Sequence, residues 1–381
     1  MRAQHMRGAT LAVSLALTVA TTAGHAAGST VPPGTTEEST PSGTGGTPSL
    51  EFVGPNGEVP TPAEELELSD EEIAQVQEGG YTAAFVWHEN SPFIQAVESG
   101  ATAMFDELGI EVVSSTTAEF DAARQANNVE SALALNPDII VTIPVDPVLA
   151  AEAFRPAIDA GVKLVILTVP PAGYVHGEDF VGIVTTTVPQ YGQLAAQMLG
   201  EALGGEGDVG WIFHDAEFWI TNMRDQAFRD WLEHDYPDTE VVAEEGFTDP
   251  ARTGDLASAM LTRNPDLDGI YVAWATAAAG VLESLRNEGR TDTAVVTNDL
   301  EAPLAIDMCQ GGNVVGVVAN PAVNVGENLG VVSAYGMLDK PAPEMSVVAP
   351  LAVTSENIVE GWNTEFGEDP PAEVQEACGV E

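Results

Sequence analysis

Short apolar segments alternate with amphipathic, helix-length segments from Thr82 to about Thr354. The apolar segments are rich in β-branched residues on both faces, as expected of strands buried in a parallel sheet. The predicted strands are residues 82–87, 111–114, 138–143, 163–167, 180–184, 208–213, 240–243, 269–274, 293–297 and 314–318. The predicted helices between them include residues 92–108, 122–135, 189–203 and 221–234. This alternation indicates an α/β fold built from βαβ units with right-handed crossovers.

The alternating region spans about 300 residues, which is long for a single hydrophobic core and natural for two lobes. We therefore expect two Rossmann-like lobes, each containing a parallel sheet. Both lobes would bind small ligands at the carboxyl ends of their strands, which is where open α/β sheets hold them.

The N-terminus has the pattern of an export signal. Arg2 and Arg7 precede an apolar stretch at residues 11–20 that is too short to span a bilayer. Small residues then surround His25, so we predict a signal peptide over residues 1–26 that is cleaved during export to the periplasm or the extracellular space. The alternative is an N-terminal anchor helix. No cysteine lies near the end of the apolar stretch, where a lipid would be attached, and we therefore do not expect a lipoprotein.

Residues 27–79 are predicted to form a disordered leader followed by a short helix. Up to about Gly57 the leader consists of Gly, Ser, Thr, Pro and Glu with few aliphatic residues, so it cannot bury enough apolar surface to offset its ordering entropy. Ser69 and Glu72 have the spacing of a capping box that would open a helix ending near Gln77.

The charge balance excludes some partners. The chain carries 59 acidic and 12 basic residues, for a net charge of -47, and loss of Arg2 and Arg7 would make it -49. Such a surface repels nucleic acid and anionic lipid, and we expect neither as a partner. The acidic bias indicates either a salty habitat or a genomic compositional bias, and both interpretations remain open.

Two cysteines, Cys309 and Cys378, follow the export signal, and oxidation is the usual state of cysteines outside the cytoplasm. They would form a disulfide or remain two free thiols. The six histidines show no metal-ligand spacing with the cysteines or with each other, and we expect no metal site.

Motifs for catalysis or cofactor binding are missing from the sequence. There is no G-x-S-x-G elbow, H-E-x-x-H, phosphate-binding loop or dinucleotide fingerprint. His88 beside Glu89 and His214 beside Asp215 lie at strand ends, but neither has an obvious Ser or Cys nucleophile next to it. We expect no cofactor and no enzymatic activity. A secreted enzyme that uses His88 or His214 with these carboxylates is the alternative.

From Tyr81 to about Glu360 the chain resembles the type I periplasmic binding proteins and is similar to the ribose-binding receptors of ABC sugar importers. Four segments at strand ends carry the resemblance: residues 87–93, 222–228, 298–299 and 319–321. They contain the candidate ligand-binding residues Trp87, Ser91, Phe93, Asn222, Arg224, Asp299 and Asn320, and Trp274 at the end of another predicted strand is a further candidate. Ser91-Pro92-Phe93 resembles the family's Asn-Pro-Phe turn. Asn222-Met223-Arg224 resembles the stretch that supplies a sugar-binding arginine, Asp299 matches an aspartate that accepts two hydroxyls, and Asn320 matches a hinge-side amide.

The chemistry of these residues suits a polyol. Trp87, Phe93 and Trp274 offer rings that would cover its apolar C–H faces, and Asp, Asn and Arg are planar hydrogen-bond partners for its hydroxyls. Core packing is the alternative role of each tryptophan. The sequence also departs from the ribose pattern, with Ile143 and Trp274 where asparagines would stand and Val169-Pro170-Pro171 in place of an Asp-Arg pair. A less hydroxylated or differently shaped molecule is therefore favoured over ribose.

The resemblance implies lobes that are discontinuous in sequence. The first would comprise residues 80–184 and 321–348, and the second residues 185–320 and 349–362, with residues 363–381 forming an acidic C-terminal tail. Three crossings would join the lobes at a hinge. The implied function is capture of a small molecule, a sugar or related polyol, and its delivery to an ABC permease. A sensor kinase is a further possible partner, and the receptor would be monomeric.

Overall fold

The computed structural model describes residues 51–216 and 218–380 of the protein. The predicted signal peptide and most of the leader lie outside these residues. The strands are β1 (Pro60–Pro62), β2 (Thr82–Trp87), β3 (Glu111–Thr117), β4 (Ile139–Thr142), β5 (Lys163–Leu167), β6 (Gly182–Thr186), β7 (Glu206–His214), β8 (Asp238–Phe247), β9 (Gly269–Val272), β10 (Ala294–Asn298), β11 (Val314–Ala319), β12 (Met345–Val348) and β13 (Leu351–Val353). The helices are α1 (Asp70–Gly79), α2 (Pro92–Leu108), α3 (Ala122–Leu133), α4 (Pro147–Ala153), α5 (Arg155–Asp159), α6 (Val188–Ala202), α7 (Trp219–Asp235), α8 (Thr253–Arg263), α9 (Ala275–Glu288), α10 (Ala302–Cys309), α11 (Ala322–Met337), α12 (Ile358–Phe366) and α13 (Ala372–Cys378).

Two sheets form the two lobes. The first has the strand order β1-β12-β6-β5-β4-β2-β3, and the second has the order β13-β11-β10-β9-β7-β8. Neighbouring strands are parallel throughout, except that β13 runs antiparallel to β11. Apolar clusters cover both faces of each sheet. The predicted α/β fold with two parallel-sheet lobes is confirmed. Among the described residues, no helix combines the length and apolarity needed to cross a membrane.

Local sequence signals explain where the helices begin and end. The Ser91 side chain accepts a hydrogen bond from the backbone N–H of Ile94 and so caps α2, which ends at Gly109 in the left-handed conformation. The predicted capping box between Ser69 and Glu72 opens α1. Strands β2 and β5 have the bounds expected from the apolar pattern, whereas edge strand β8 is longer than expected because its outer face is polar.

The chain passes between the two sheets three times: after β6, after β11 and between β12 and β13. Helix α11 packs on α2 in the first lobe, and α6 packs on α7 in the second. These crossings place the carboxyl ends of β6 and β11 next to the hinge. The residues that follow β11 therefore belong to both the hinge and the edge at which the strands of the second sheet end.

The segment before α1 is ordered in the structure. β1 extends the first sheet by pairing in parallel with β12, and the Phe52 ring lies 6.1 Å from the Trp219 ring of the second lobe. Within the described part of the predicted leader, β1 therefore precedes the predicted short helix, which is α1. A three-residue strand with prolines at both ends has the composition of a loop, and it is tolerated here because it lies at a sheet edge.

The C-terminal region is also structured. Cys309 at the end of α10 and Cys378 at the end of α13 form a disulfide, with the two Cα atoms 4.8 Å apart. The apolar residues Trp362 and Val374 are buried in the core of the second lobe. Residues 363–381 were expected to be an acidic tail, but α12 and α13 instead present an apolar side to the lobe.

Candidate functional site

The second sheet brings three of the sequence-predicted residues together. Arg224 lies on α7, Asp299 directly follows β10, and Asn320 directly follows β11. Because neighbouring parallel strands end at the same edge of a sheet, Asp299 and Asn320 lie together near the hinge, and α7 brings Arg224 to them. The Nη1 atom of Arg224 lies 4.0 Å from Oδ1 of Asp299.

Arg224 is held in a nearly buried position. Its side chain is 10% exposed, and its guanidinium stacks over the ring of Tyr191 at 3.7 Å from the ring centroid. A Cβ at Gly192 would collide with the backbone of α7 at Arg224 and Phe228, so only glycine at this position lets α6 approach α7 closely enough for this stacking. The Nε atom of Arg224 is buried and has no hydrogen-bond partner among the described residues.

Asp299 occupies a strained turn. Its φ of 66° lies in the left-handed region, which Asp tolerates better than most residues. Its backbone N–H donates to the carbonyl of Val318 at 2.9 Å. Burial raises the pKa of the Asp299 carboxyl, while Arg224 and a hydrogen bond from Asn320 act in the opposite direction. About a third of the side-chain surface stays accessible, so the carboxyl is open to a ligand on one side.

Asn320 connects this carboxyl to Tyr191. The buried Tyr191 hydroxyl donates a hydrogen bond to Oδ1 of Asn320 at 3.0 Å. The Asn320 amide also hydrogen-bonds the Asp299 carboxyl, as noted above. Burial raises the pKa of Tyr191, and the phenol therefore remains a neutral donor. Tyr191 thus fixes the orientation of the Asn320 amide.

A second polar layer lies beneath Arg224. Asp225 is buried and accepts hydrogen bonds from the backbone N–H of His214 at 2.9 Å and the hydroxyl of Tyr271 at 2.8 Å. Asn298 donates to the Tyr271 hydroxyl and to the Ala273 carbonyl. Burial raises the pKa of Asp225 to about 6. This layer ties the ends of β7, β9 and β10 together.

Aromatic rings stand beside the polar cluster at the ends of β7 and β9. Trp274 is half-buried, contacts the His214 ring edge-on at 5.0 Å between centroids, and packs on Phe247 at 4.7 Å. Phe218 is 54% exposed and lies 6.3 Å from His214. Together these side chains form an apolar wall at the same edge of the second sheet.

The predicted residues of the first lobe have different environments. Ser91 caps α2, and Phe93 is half-buried against the core of the first lobe. Trp87 is fully buried, stacks on Phe85 at 5.2 Å and donates its indole N–H to Glu98 at 2.6 Å. The structure therefore corrects the stacking role expected of Trp87. Side chains alternate along a strand, so Trp87 points to the same face as Phe85, into the core.

Asn222 lies two positions before Arg224 on α7. It is exposed and lines a cavity of about 730 Å³ with Phe52, Pro189, Trp219 and Trp231. Two positions on a helix correspond to a rotation of about 200°, so Asn222 and Arg224 project from nearly opposite sides of α7. Asn222 also lines a cavity of about 460 Å³ with His214 and Asp225.

The two histidines lie in different lobes. His88 has its Nε2 3.6 Å from Glu89, and its Nδ1 is buried without a hydrogen-bond partner in the described residues. The Nδ1 of His214 lies 2.8 Å from the Thr221 hydroxyl. Burial lowers the pKa of both imidazoles, which favours their neutral forms. Residues 51–216 and 218–380 contain no group of three or more His, Cys, Asp or Glu that could hold a metal ion.

Sequence reasoning missed several residues of this cluster. Tyr191 and Asp225 were overlooked because their roles come from packing between α6, α7 and β9. Glu365 on α12 was assigned to the tail, although it is buried and accepts hydrogen bonds from two backbone N–H groups of the site. A usable signal was present: Ile358, Trp362 and Glu365 have the spacing of one buried helix face.

The arrangement is that of a polar binding site. It offers a guanidinium, a carboxyl and an amide that are fixed by neighbouring side chains, with aromatic rings alongside. These groups are suited to neutral, hydroxyl-rich molecules, because hydroxyls both donate and accept hydrogen bonds.

Known proteins share this architecture. The periplasmic ribose ABC transporter structure from Conexibacter woesei superposes with a TM-score of 0.65 at 19% identity, covering 74% of this chain and 94% of that chain. An ABC transporter periplasmic solute binding protein from Actinobacillus succinogenes with bound D-allose gives a TM-score of 0.61 at 22% identity, covering 72% and 98%.

Sequence comparison leads to the same group of proteins. A D-apiose import binding protein of Actinobacillus succinogenes is 24% identical over 251 residues, which are 64% of this chain and 78% of that protein. The family model of the periplasmic binding protein domain matches residues 83–340, more than half of the chain. The chain therefore belongs to the periplasmic binding protein family.

Proposed function

We propose that this protein is an exported solute-binding protein that captures a neutral sugar or polyol between its lobes and delivers it to an ABC importer. The observation that carries the proposal is the buried guanidinium of Arg224, whose Nε lacks a hydrogen-bond partner in the described chain and whose Nη1 is 4.0 Å from the Asp299 carboxyl. A buried donor without a partner is costly, and a ligand hydroxyl would satisfy it.

Each side chain of the cluster has a distinct role in this proposal. Asp299 accepts hydrogen bonds from ligand hydroxyls, Arg224 donates to them, and Asn320 contributes its amide beside the hinge. Trp274 covers an apolar face of the ligand. From the first lobe, Phe93 and the Ser91 turn complete the site when the lobes close by a hinge motion.

The ligand class follows from the same chemistry. One similar protein is named for D-apiose import and another was solved with bound D-allose, and both point to carbohydrates. Trp274 stands where the ribose pattern has an amide, so this site has less hydrogen-bonding capacity and more apolar surface. We therefore favour a branched, less hydroxylated or differently shaped sugar over ribose.

The remaining parts of the proposal concern export and partners. A cleaved signal peptide would release the receptor to the periplasm or the extracellular space without a lipid anchor. There it would act as a monomer that docks on an ABC permease, and a sensor kinase is a second candidate partner. The lobes would be residues 80–184 with 321–348 and residues 185–320 with 349–362.

A binding experiment tests the proposal. Isothermal titration of the mature protein with D-apiose, D-allose, D-ribose and myo-inositol should identify at least one ligand. Asp299→Asn should weaken its binding by about tenfold or more, because a hydrogen bond to a charged, partly buried group is lost. Asp292→Asn is the matched control, since Asp292 is 82% exposed and precedes β10, whereas Asp299 follows the opposite end of that strand. Equal affinities in the parent and Asp299→Asn would place the site elsewhere.

The same samples test the enzyme alternative. The bound sugar should be recovered chemically unchanged after incubation, as judged by NMR. A product that forms with the parent protein and not with His88→Ala or His214→Ala would contradict the receptor function.

A further inference from the structure

One buried carboxyl connects the two backbone segments that carry the cluster. Glu365 is 5% exposed and lies near the end of α12. Its two carboxyl oxygens accept the backbone N–H of Leu300 at 3.1 and 3.0 Å, and Oε2 also accepts the backbone N–H of Asn320 at 3.1 Å. Leu300 directly follows Asp299, and Asn320 is itself a proposed ligand-binding residue.

These two segments need external support. Asp299 has a left-handed backbone, a conformation that persists only when its surroundings enforce it. The hydrogen bond to Leu300 holds the turn immediately after this residue. The hydrogen bond to Asn320 holds the point where the chain leaves β11 for the first lobe.

Helix α12 is well placed for this task because it contacts both lobes. It packs against β11 and β13 of the second lobe and against α2 and α11 of the first. A Cβ at Gly367, just after the helix, would collide with Val323 at the start of α11. The position of Glu365 is therefore fixed relative to the hinge as well as to the ligand-facing edge.

We infer that Glu365 is a positioning residue: its carboxyl fixes the Leu300 and Asn320 backbones and thereby sets the separation of the Asp299 and Asn320 side chains for the ligand. The inference rests on the proposed function in that Asp299 and Asn320 are taken as ligand contacts. Glu365 itself does not touch the ligand.

The test compares two substitutions at one position. Glu365→Gln keeps an acceptor oxygen of nearly the same shape, whereas Glu365→Leu keeps the approximate volume and removes both acceptors. Glu360→Leu is the matched control, because Glu360 is on the same helix and exposed. Affinities for D-apiose, D-allose and D-ribose are measured by calorimetry, and all variants are first checked for parental circular dichroism.

We expect Glu365→Leu to weaken binding of the sugar that the parent binds by about tenfold or more, because two buried N–H groups lose their acceptor. Glu365→Gln should restore affinity to within about threefold of the parent, a change of less than 1 kcal/mol. Parental affinity in Glu365→Leu would overturn the positioning role. Equal losses of affinity in Glu365→Leu and Glu365→Gln would also overturn it. Gln keeps an acceptor oxygen, so it should preserve a role that depends on accepting these hydrogen bonds, whereas it would not rescue a purely structural or charge effect.

A second measurement does not depend on any ligand. Hydrogen exchange at the Leu300 and Asn320 amides, followed by mass spectrometry, should be faster in Glu365→Leu and close to parental in Glu365→Gln. If no sugar binds the parent while exchange behaves as expected, the proposed function fails and the control of these two amides by Glu365 stands. Unchanged exchange in Glu365→Leu would overturn the inference whatever the ligand.

Discussion

The disulfide between α10 and α13 offers the most quantitative prediction about stability. We consider the double substitution Cys309→Ala and Cys378→Ala, which removes the bond and leaves small apolar side chains in its place. The two cysteines are separated by 69 residues. The closed loop contains β11, α11, β12, β13 and α12, and it therefore runs through both lobes and both later crossings of the hinge.

The expected loss follows from the length of this loop. Without the bond, the unfolded chain gains the entropy of an open segment of 69 residues, and the chain-entropy relation gives about 4 kcal/mol at 25 °C. A folded domain is stable by only about 5–15 kcal/mol, so this is a large fraction of the total. The contacts of Val374 with the lobe remain in the variant, and no further loss from packing is expected.

Urea unfolding of the parent and the double variant, followed by circular dichroism, measures the difference. The variant should unfold at a lower urea concentration by the equivalent of about 4 kcal/mol, with a similar or larger slope. A reducing agent should destabilise the parent and leave the variant unchanged, which separates loss of the bond from loss of the sulfur atoms. A difference below about 1 kcal/mol would refute the reasoning, because the unfolded chain would then not be restrained by the bond.

Two further predictions concern charge. Because burial raises the pKa of Asp225 to about 6 from its ordinary 3.8, its neutral form stabilises the fold below pH 3.8, and this contribution is lost as the pH rises through 6. Urea unfolding measures the free energy of unfolding of the parent and of Asp225→Asn. The parent value relative to the variant should fall by about 3 kcal/mol between about pH 3.8 and pH 6. A difference that does not change with pH would contradict the raised pKa of Asp225. With a net charge of -47, the melting temperature should rise between 0.05 and 1 M NaCl, where the screening length falls to about 3 Å. Calorimetry should show a larger rise in melting temperature with NaCl than with sucrose at equal osmolality. A melting temperature that does not change with salt would mean that charge repulsion contributes little to stability.

The parts of the structure that sequence could predict are those decided locally. Strand β2 and helix α2 follow from a buried apolar run, a serine cap and a left-handed glycine, all within a few residues of the element. The meeting of Arg224 and Asp299 is a non-local feature. The position of Asp299 was predictable, because parallel strands end at a common edge and a residue just after a strand must lie there. Arg224 is within α7, and its approach to Asp299 depends on how α7 packs on the sheet.

Sequence predictions fail at positions where the same residue fits two different environments. A tryptophan that ends a buried strand can point into the core or into a cleft, and the side of the sheet on which Trp87 lies depends on how α2 packs. The same ambiguity applies to Trp274, which is half-buried, contacts the His214 ring and also packs against the core of the second lobe. The partners of Glu365 are 45 and 65 residues away in sequence, so no local pattern could identify them.

The charges of the cluster limit the ligands that it can accept. Asp225, Asp299 and Glu365 surround a single guanidinium, that of Arg224, and burial raises the pKa of each of the three carboxyls. An anionic ligand such as a sugar phosphate or a sugar acid would add a further negative charge beside these three carboxyls, whose raised pKa values show that negative charge is already disfavoured there. A neutral polyol adds no charge, and its hydroxyls can donate to the Asp299 carboxyl and accept from Arg224. The electrostatics of the cluster therefore favour neutral sugars and polyols over their charged derivatives.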